Sequence, residues 1–241
     1  MAVAKIRLHL AQPLGHGQSV TLTEAQAHYL FAVMRQAAGA QVLVFNGRDG
    51  EWLAEVSEAG KRGGRLACLA QTRPQVPVAD LWLVFAPLKK ARTDFVVEKA
   101  VELGVAAIRP VQTEFTNAER VRADRLAAIA TEAAEQCGAL SVPEVCDLVS
   151  LDRLLSDWDP TRRILWADEA CAGPASLLAG AAPGPWAVLI GPEGGFSDRE
   201  RRWLAGLPFV TAVSLGPRIL RAETAAVAAL VLWQAALGDW R

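Results

Sequence analysis

The chain has 241 residues, of which 52% are hydrophobic and 21% are charged, a mixture that excludes a disordered tail and predicts a folded protein. No stretch approaches the roughly 20 uninterrupted apolar residues that a membrane span requires. The formal net charge of −1 disfavours a protein that coats nucleic acid through a broad basic surface, so any binding of nucleic acid must depend on local charge.

The N-terminal third predicts a small β domain. Its start, MAVAKIRLHLAQPLGHG, lacks the apolar core and cleavage site of a signal peptide, so we expect a cytoplasmic protein. One helical stretch is predicted at residues 24–35. The β-rich runs AQVLVFN, EWLAEVS and RLACLAQT are then separated by Asn46-Gly47, Asp49-Gly50 and GKRGG at 60–64, which are typical turn sequences. This pattern predicts a meander that forms part of a small barrel.

A domain boundary is predicted near Pro74 and Pro77, which flank a polar stretch that suits neither a central strand nor a helix. We therefore expect domains at 1–74 and 75–241. Beyond the boundary, strands alternate with helices, a pattern typical of an α/β domain with a parallel sheet covered by helices. The predicted strands are LWLVFAP, AAIRPV, RRILWA, WAVLIG and VTAVSL, and two of the predicted helices are RTDFVVEKAVEL and ADRLAAIATEAAEQCG.

The last predicted helix, residues 223–237, reads ETAAVAALVLWQAAL and is apolar on nearly every face. A helix without a polar side is expected to be buried all round. In a terminal helix such burial is readily supplied by a second subunit, so we predict a homodimer, with packing inside one chain as the alternative.

Two glycine-rich loops are the strongest candidates for a ligand site. The strand WAVLI leads into Gly191-Pro192-Glu193-Gly194-Gly195-Phe196, after which Ser197 or Asp198 can cap a helix. The strand VTAVSL leads in the same way into GPRILRAET at 216–224. Since open α/β sheets bind ligands at the carboxyl ends of their strands, the two loops are expected to line one crevice. An ordinary strand-to-helix turn is the alternative for either loop alone.

Other common sites are not indicated. The glycine spacing matches neither a dinucleotide fingerprint nor a phosphate-binding loop with its lysine. The four cysteines, Cys68, Cys137, Cys146 and Cys171, show no CxxC spacing, and the three histidines all lie near the N-terminus. We therefore predict neither a metal site nor a disulfide framework.

The chain resembles the RsmE family, bacterial 16S ribosomal RNA uridine-N3 methyltransferases of the SPOUT superfamily. The resemblance runs nearly end to end. It is carried by LIGPEGGFS at 189–197 and SLGPRILRAETA at 214–225, with support from HYLFAVMR at 28–35, EKAVELGVAAIRP at 98–110 and EAAEQCGALSVPEV at 132–145. One position departs from the family, because Ala139 stands where members usually have an arginine.

This resemblance implies a SPOUT-type trefoil-knotted sheet domain and an N-terminal PUA-like RNA-binding barrel. It also implies a homodimer and S-adenosylmethionine as the methyl donor, with no metal. The positions expected to hold this cofactor, largely through their backbone, are Ile190, Gly191, Gly195, Leu215, Gly216, Ile219 and Leu220, together with Glu193, which could instead order its own loop.

Methylation at N3 of uridine requires removal of a proton or stabilisation of the uridine anion. Arg221, and with it Arg218, is a candidate to stabilise that anion or hold a phosphate, and Glu223 to orient an arginine or accept the proton. The alternative is that Glu223 only complements a helix N-terminus and Arg218 is solvated. Candidate contacts to 16S ribosomal RNA in the small subunit are Arg7, His28, Arg35, Lys89, Lys90 and Arg92, each of which could also be an ordinary surface residue.

Three other functions stay open on the sequence. A methyltransferase of the same superfamily could act on a ribose 2′-hydroxyl or a tRNA base, which analysis of modified nucleosides distinguishes. An RNA-binding assembly factor without catalysis need not bind S-adenosylmethionine. A nucleotide-binding oxidoreductase would be stabilised by NADH.

Overall fold

The computed structural model describes residues 6–60, 62–117, 121–169, 178 and 180–240. Two compact units are formed, one from residues up to 77 together with 134–142, the other from residues 78–133 together with residues from 143 onward. No sequence pattern indicated that residues 134–142 pack with the first unit. The domains 1–74 and 75–241 stay a prediction.

The first unit is built on a five-stranded sheet with the order β1-β3-β4-β5-β2. β1 pairs in parallel with β3, and the other pairs are antiparallel. Apolar side chains from one face of these strands form a core around Leu30, Val42, Val44 and Leu66. The strands are β1 Arg7–His9, β2 Ser19–Thr21, β3 Gln41–Phe45, β4 Glu51–Ala59 and β5 Gly64–Arg73.

The helix predicted at 24–35 is only partly α-helical. Helix α1 spans Glu24–Ala27, and Thr23 and Gln26 form a capping box at its start. The chain then widens into a π-helical turn over His28–Val33, where the Met34 amide donates to the Tyr29 carbonyl at 2.9 Å. The predicted helical stretch is therefore confirmed as far as Val33, but its π-helical part was not foreseen, because the extra residue per turn leaves no mark in a 3.6-residue periodicity.

The second unit contains a sheet with the order β12-β10-β11-β6-β7-β8, in which β9 also pairs with β7. Every pairing is parallel, as predicted. The strands are β6 Leu81–Phe85, β7 Ala107–Gln112, β8 Glu144–Val145, β9 Val149–Ser150, β10 Arg163–Ala167, β11 Trp186–Ile190 and β12 Val210–Val213.

Over the described residues, five helices accompany this sheet: α2 Lys90–Glu102, α3 Ala123–Cys137, α4 Leu151–Ser156, α5 Asp198–Ala205 and α6 Ala222–Leu237. The short elements β8, β9 and α4 were not predicted, because two to six residues are too few to show a periodicity. The predicted fold class, a parallel α/β domain flanked by helices with a smaller N-terminal β domain, is confirmed. The trefoil knot that the resemblance implies stays a prediction.

Strand β11 is buried at all five positions, which explains its uninterrupted apolar sequence. The chain leaves its carboxyl end through the first glycine loop and enters α5. Ser197 and Glu200 form a reciprocal capping box there, and Glu200 is buried. The start of α5 is therefore held firmly beside the end of β11.

Within the single chain helix α6 is buried on one side only, so the alternative of packing wholly inside one chain was wrong, and the homodimer stays a prediction. Its inner face carries buried Leu230 and Trp233, while Thr224, Leu232 and Ala235 are exposed. The apolar outer face follows from the composition of the helix, but one sheet domain covers only one side of it.

No helix among the described residues is long and apolar enough to cross a membrane.

Candidate functional site

A cavity of about 550 Å³ lies in the second unit where strands β10, β11 and β12 end. Its volume is in the range of small-molecule sites, and its position is where parallel sheets bind ligands. Both glycine loops line it, as predicted. All eight residues expected to hold a cofactor are in its wall: Ile190, Gly191, Glu193, Gly195, Leu215, Gly216, Ile219 and Leu220.

The first loop is shaped by two glycines with different constraints. A side chain at Gly191 would meet the Phe196 ring, with 2.7 Å between the added Cβ and a ring carbon. Gly195 has a φ of 68°, in the left-handed region that favours glycine. Phe196 in turn packs edge-on against Trp166 at 5.7 Å between ring centroids. The loop is therefore anchored to the core behind it and exposes backbone on its cavity side.

The second loop presents open backbone to the cavity. Gly216 has a φ of 120°, and a Cβ there would meet no atom within 4 Å. Ile219 is 82% exposed. Among the described residues, the backbone N–H groups of Ile219 and Leu220 have no hydrogen-bond partner. Such groups are available to polar atoms of a ligand, while Ile219 supplies apolar surface.

Arg218 and Arg221 also line the cavity, and both are exposed. Arg221 immediately precedes α6 and occupies its N-cap position, where its side chain makes no capping bond. Two guanidinium groups are therefore placed at the cavity wall.

Glu223 does not line the cavity itself but lies in the first turn of α6, next to Ala222, which does. Its Oε2 atom is buried and accepts no hydrogen bond. The nearest cation is Arg92, whose Nη1 atom lies 4.0 Å from that oxygen. A buried carboxylate oxygen without a donor is costly, so it is a candidate acceptor for a donor that arrives with a ligand.

Arg92 occupies a place that sequence reasoning did not anticipate. Proposed as an RNA contact, it lines the cavity, and its Nη1 atom lies 3.0 Å from Oε1 of Glu193. It thus links the start of α2 to the first glycine loop. This contact agrees with the alternative role predicted for Glu193, which is to order its own loop.

A third segment of the cavity wall was missed from the sequence. Ala167 ends β10, Asp168 and Glu169 follow it, and Arg201 of α5 pairs with Asp168 at 2.6 Å. The signal that would have found them is the pair of acidic residues directly after the strand RRILWA. The chain order gave no indication that β10 lies between β11 and β12.

Arg7 is not available as an RNA contact in the way that was expected. Its guanidinium donates to Glu51 at 2.8 Å and to the carbonyls of Ala134, Glu135 and Ala139, and its side chain is only 10% exposed. These contacts explain why residues 134–142 belong to the first unit. They also show that Ala139 contributes its backbone, which any residue could do.

The remaining RNA candidates are on the surface. His28 and Arg35 are exposed at the two ends of the π-helical segment, and Arg35 has a φ of 53°. Lys89 and Lys90 are exposed at the start of α2.

Within the described part of the chain, no group of three or more His, Cys, Asp or Glu side chains is placed to hold a metal ion. Cys171 lies outside the described residues.

Comparison with known proteins agrees with this geometry. A family model described as an RNA methyltransferase domain matches residues 74–234, and one described as an RNA methyltransferase PUA domain matches residues 22–66. The chain is 28% identical to the ribosomal RNA small subunit methyltransferase E of Rickettsia conorii, with 93% of each chain covered.

Two solved structures are similar over nearly their whole length. A Legionella pneumophila protein in complex with the bound cofactor SAM is 31% identical and has a TM-score of 0.89, with 98% of this chain and 100% of that chain covered. The ribosomal RNA small subunit methyltransferase E of Neisseria gonorrhoeae, bound to S-adenosylmethionine, is 29% identical and has a TM-score of 0.86, with 98% and 99% covered.

Proposed function

The chain belongs to the RNA methyltransferase family, and on that premise we propose that it methylates N3 of a specific uridine in 16S ribosomal RNA, with S-adenosylmethionine as methyl donor. The observation that carries the proposal is the cavity between the two glycine loops, beside which the unpartnered carboxylate oxygen of Glu223 is buried. Small-subunit particles are the proposed substrate, since the relatives with the same domain organisation are named for that RNA.

The residues present fit S-adenosylmethionine. The free N–H groups of Ile219 and Leu220 suit the polar edge of an adenine ring, and exposed Ile219 suits its apolar face. Gly216 leaves the backbone open to close approach. In the same wall Asp168 is already paired with Arg201, while the exposed carboxylate Glu169 suits the positive charge of the ligand.

When bound, S-adenosylmethionine supplies a methyl group that a nitrogen nucleophile attacks in line. This chain must then prepare the uridine, whose N3 holds its proton at neutral pH. Glu223 is proposed to accept that proton, because its buried Oε2 lacks a donor and lies beside the cavity wall. The Nη1 atom of Arg92 lies 4.0 Å from that oxygen.

Arg221 and Arg218 are proposed to stabilise the negative charge that develops on the uridine carbonyl oxygens or to hold a phosphate of the RNA. Both are exposed at the cavity wall, so an incoming nucleotide can reach them. A guanidinium presents several donors in one plane, which suits either acceptor. The edge that carries N3 is occupied in paired RNA, so the target base must be unpaired or flipped out.

RNA binding outside the cavity is assigned to exposed cations. Lys89 and Lys90 lie at the start of α2, three and two residues before Arg92. His28 and Arg35 serve the first unit in the same way. A homodimer is proposed through the exposed apolar face of α6, where Leu232 is 37% exposed.

The decisive experiment is analysis of nucleosides in small-subunit RNA from a strain that lacks this chain. We expect 3-methyluridine to disappear and to return when the purified protein and S-adenosylmethionine are added to particles from that strain. Loss of a 2′-O-methyl nucleoside instead would identify another acceptor. An unchanged nucleoside profile, together with no binding of S-adenosylmethionine by calorimetry, would refute methyltransferase activity.

A further inference from the structure

Phe115 is an exposed aromatic residue beside the reaction cavity that the proposed mechanism does not use. It follows β7, and 43% of it is exposed. A rigid aromatic ring at the edge of an RNA site has an evident use, since bases stack on such rings.

The backbone that carries Phe115 is held in place from both sides. The Thr113 amide donates to the Thr116 hydroxyl at 2.9 Å, and the Thr116 amide donates to the Thr113 carbonyl at 3.1 Å. The Glu114 amide donates to Oε1 of Glu200, which is only 3% exposed. Glu200 also caps α5 directly after the first glycine loop. The turn and the loop are therefore braced by the same buried carboxylate.

Phe115 contacts that loop directly. A Cβ added to Gly194 would lie 3.3 Å from Cβ and 3.7 Å from Cγ of Phe115. The neighbours of Gly194 in sequence, Glu193 and Gly195, both line the cavity, whereas Phe115 itself does not. The ring thus lies one loop away from the cavity.

The negative charge beside the ring is partly neutralised by one arginine. Glu114, which precedes the ring, lies 3.9 Å from Arg199, an arginine that also approaches Asp152. Arginines 218 and 221 in the cavity wall and lysines 89 and 90 at the start of α2 are exposed cations of the same unit.

We infer that Phe115 stacks on an unpaired base next to the target nucleotide and so holds the RNA strand while the target base enters the cavity. This inference rests on the proposed function. Because the ring is outside the cavity, its contribution falls on RNA binding rather than on the chemical step. Phe115 is a positioning residue in this scheme.

The first test compares Phe115→Ala, Phe115→Leu and Phe115→Tyr on small-subunit particles from the deletion strain. Loss of one stacked base predicts about a 10-fold rise in KM for the particles in the Ala variant, with kcat within about 2-fold of wild type. Leu keeps an apolar side chain without a π-face and is expected to behave like Ala. Tyr keeps the ring and is expected to restore KM. The affinity for S-adenosylmethionine should stay unchanged in all three variants.

The second test removes the partner base. Two kinds of particle are reconstituted. In one, the 16S RNA carries an abasic residue immediately 5′ of the mapped methylation site, and in the other it carries one immediately 3′ of it. One of the two abasic substitutions should raise KM for wild type about 10-fold and have almost no further effect in Phe115→Ala, because both changes remove the same contact. Additive effects at both positions, a fall in kcat without a rise in KM, or conversion of a dimer to a monomer by Phe115→Ala would overturn the inference.

These outcomes are separable from failure of the proposed function. If wild type transfers no methyl group to the particles, the proposed function fails first. If wild type is active and Phe115→Ala, Phe115→Leu and Phe115→Tyr all match it in KM, only the stacking role is wrong. The Leu variant retains an apolar residue of similar bulk, so the comparison remains informative if the Ala variant folds poorly.

Discussion

Arg92 and Glu193 join the first turn of α2 to the first glycine loop through a 3.0 Å contact between Nη1 and Oε1. The same Nη1 lies 4.0 Å from Oε2 of Glu223 at the start of α6. Arg92 therefore lies between Glu193 of the first glycine loop and Glu223, the carboxylate proposed to accept a proton. One side chain of α2 thus connects the first glycine loop to the start of α6.

Replacing Arg92 by Ala should weaken catalysis more than it weakens folding. The pair with Glu193 is about one-third exposed, so it contributes little to stability, at most about 1 kcal/mol. Without the cation, the loop loses a tether and Glu223 loses its nearest positive charge, so we expect kcat/KM to fall by about 10-fold, which is about 1.4 kcal/mol in the transition state. Steady-state kinetics and urea unfolding measure the two effects.

A suitable control is Arg122→Ala, because Arg122 is 67% exposed and pairs with Asp124 at the start of α3. It removes an arginine and an ion pair from outside the cavity wall. Equal losses of activity in the two variants would mean that Arg92 acts only through the net charge of the protein.

Glu223→Gln tests the proton acceptor. The amide has nearly the same shape as the carboxylate but cannot take up the proton, so kcat should fall by about 100-fold or more at neutral pH. The loss should shrink as pH rises, because more of the uridine is then already deprotonated before it binds. Methyl transfer at several pH values measures this, with S-adenosylmethionine affinity as the control. A loss that is constant with pH would assign Glu223 a purely structural role.

Leu232→Glu tests the proposed dimer. A charge in the middle of the exposed apolar face of α6 should prevent association through that face, because burying an unpaired carboxylate is costly. Sedimentation of wild type should give twice the monomer mass, and the variant should sediment as a monomer. Val76→Glu, at a residue that is 54% exposed in the first unit, provides the matched control and should leave the mass unchanged.

Gly50→Ala should be strongly destabilising. Gly50 has a φ of 76°, and an added Cβ would collide with the carbonyl oxygen of Arg73. Both the backbone strain and the collision oppose the native turn, so we expect the free energy of unfolding to fall by about 2–4 kcal/mol. At Gly63 a Cβ would meet nothing within 4 Å. Gly63→Ala should therefore change the free energy of unfolding by less than about 0.5 kcal/mol. Chemical unfolding of the two variants compares them directly.

The hydrogen bonds of the Asp49 carboxylate predict that the free energy of unfolding depends on pH. The Leu14 amide donates to this carboxylate at 2.9 Å and the Asn46 side chain at 2.6 Å, and these bonds hold the pKa of Asp49 below its ordinary value. A carboxyl with a lowered pKa in the folded state stabilises the protein above its unfolded pKa, about 3.9. That contribution is lost as pH falls through the folded value.

Asp49→Asn removes the charge and keeps the size. The variant should be less stable than wild type by about 1 kcal/mol at pH 7, and the difference should shrink as pH falls below about 4. Urea unfolding at pH 7, 5 and 3 measures the difference. A difference that is the same at all three values would show that shape rather than charge is responsible.

Much of the second unit could be predicted from local patterns. Residues 186–190 form an uninterrupted apolar run, which predicts a strand buried on both faces, and Ser197 with Glu200 forms a capping box that marks the start of α5. Gly191 to Gly195 and Gly216 indicated a ligand crevice, and the cavity lies there. These features are local, because backbone propensity, caps and glycine conformations depend on a few neighbouring residues.

Other features depend on residues that are distant in sequence. Arg7 appeared to be a surface cation, but it is enclosed by carbonyl groups more than 120 residues away. Arg92 appeared to be an RNA contact, but tertiary packing places it against Glu193 and Glu223. Local sequence patterns were enough to predict the longer strands and helices of the second unit and the two glycine loops that line the cavity. They could not predict which charged side chains meet in the cavity, because ion pairing depends on distances in space, which periodicity does not encode.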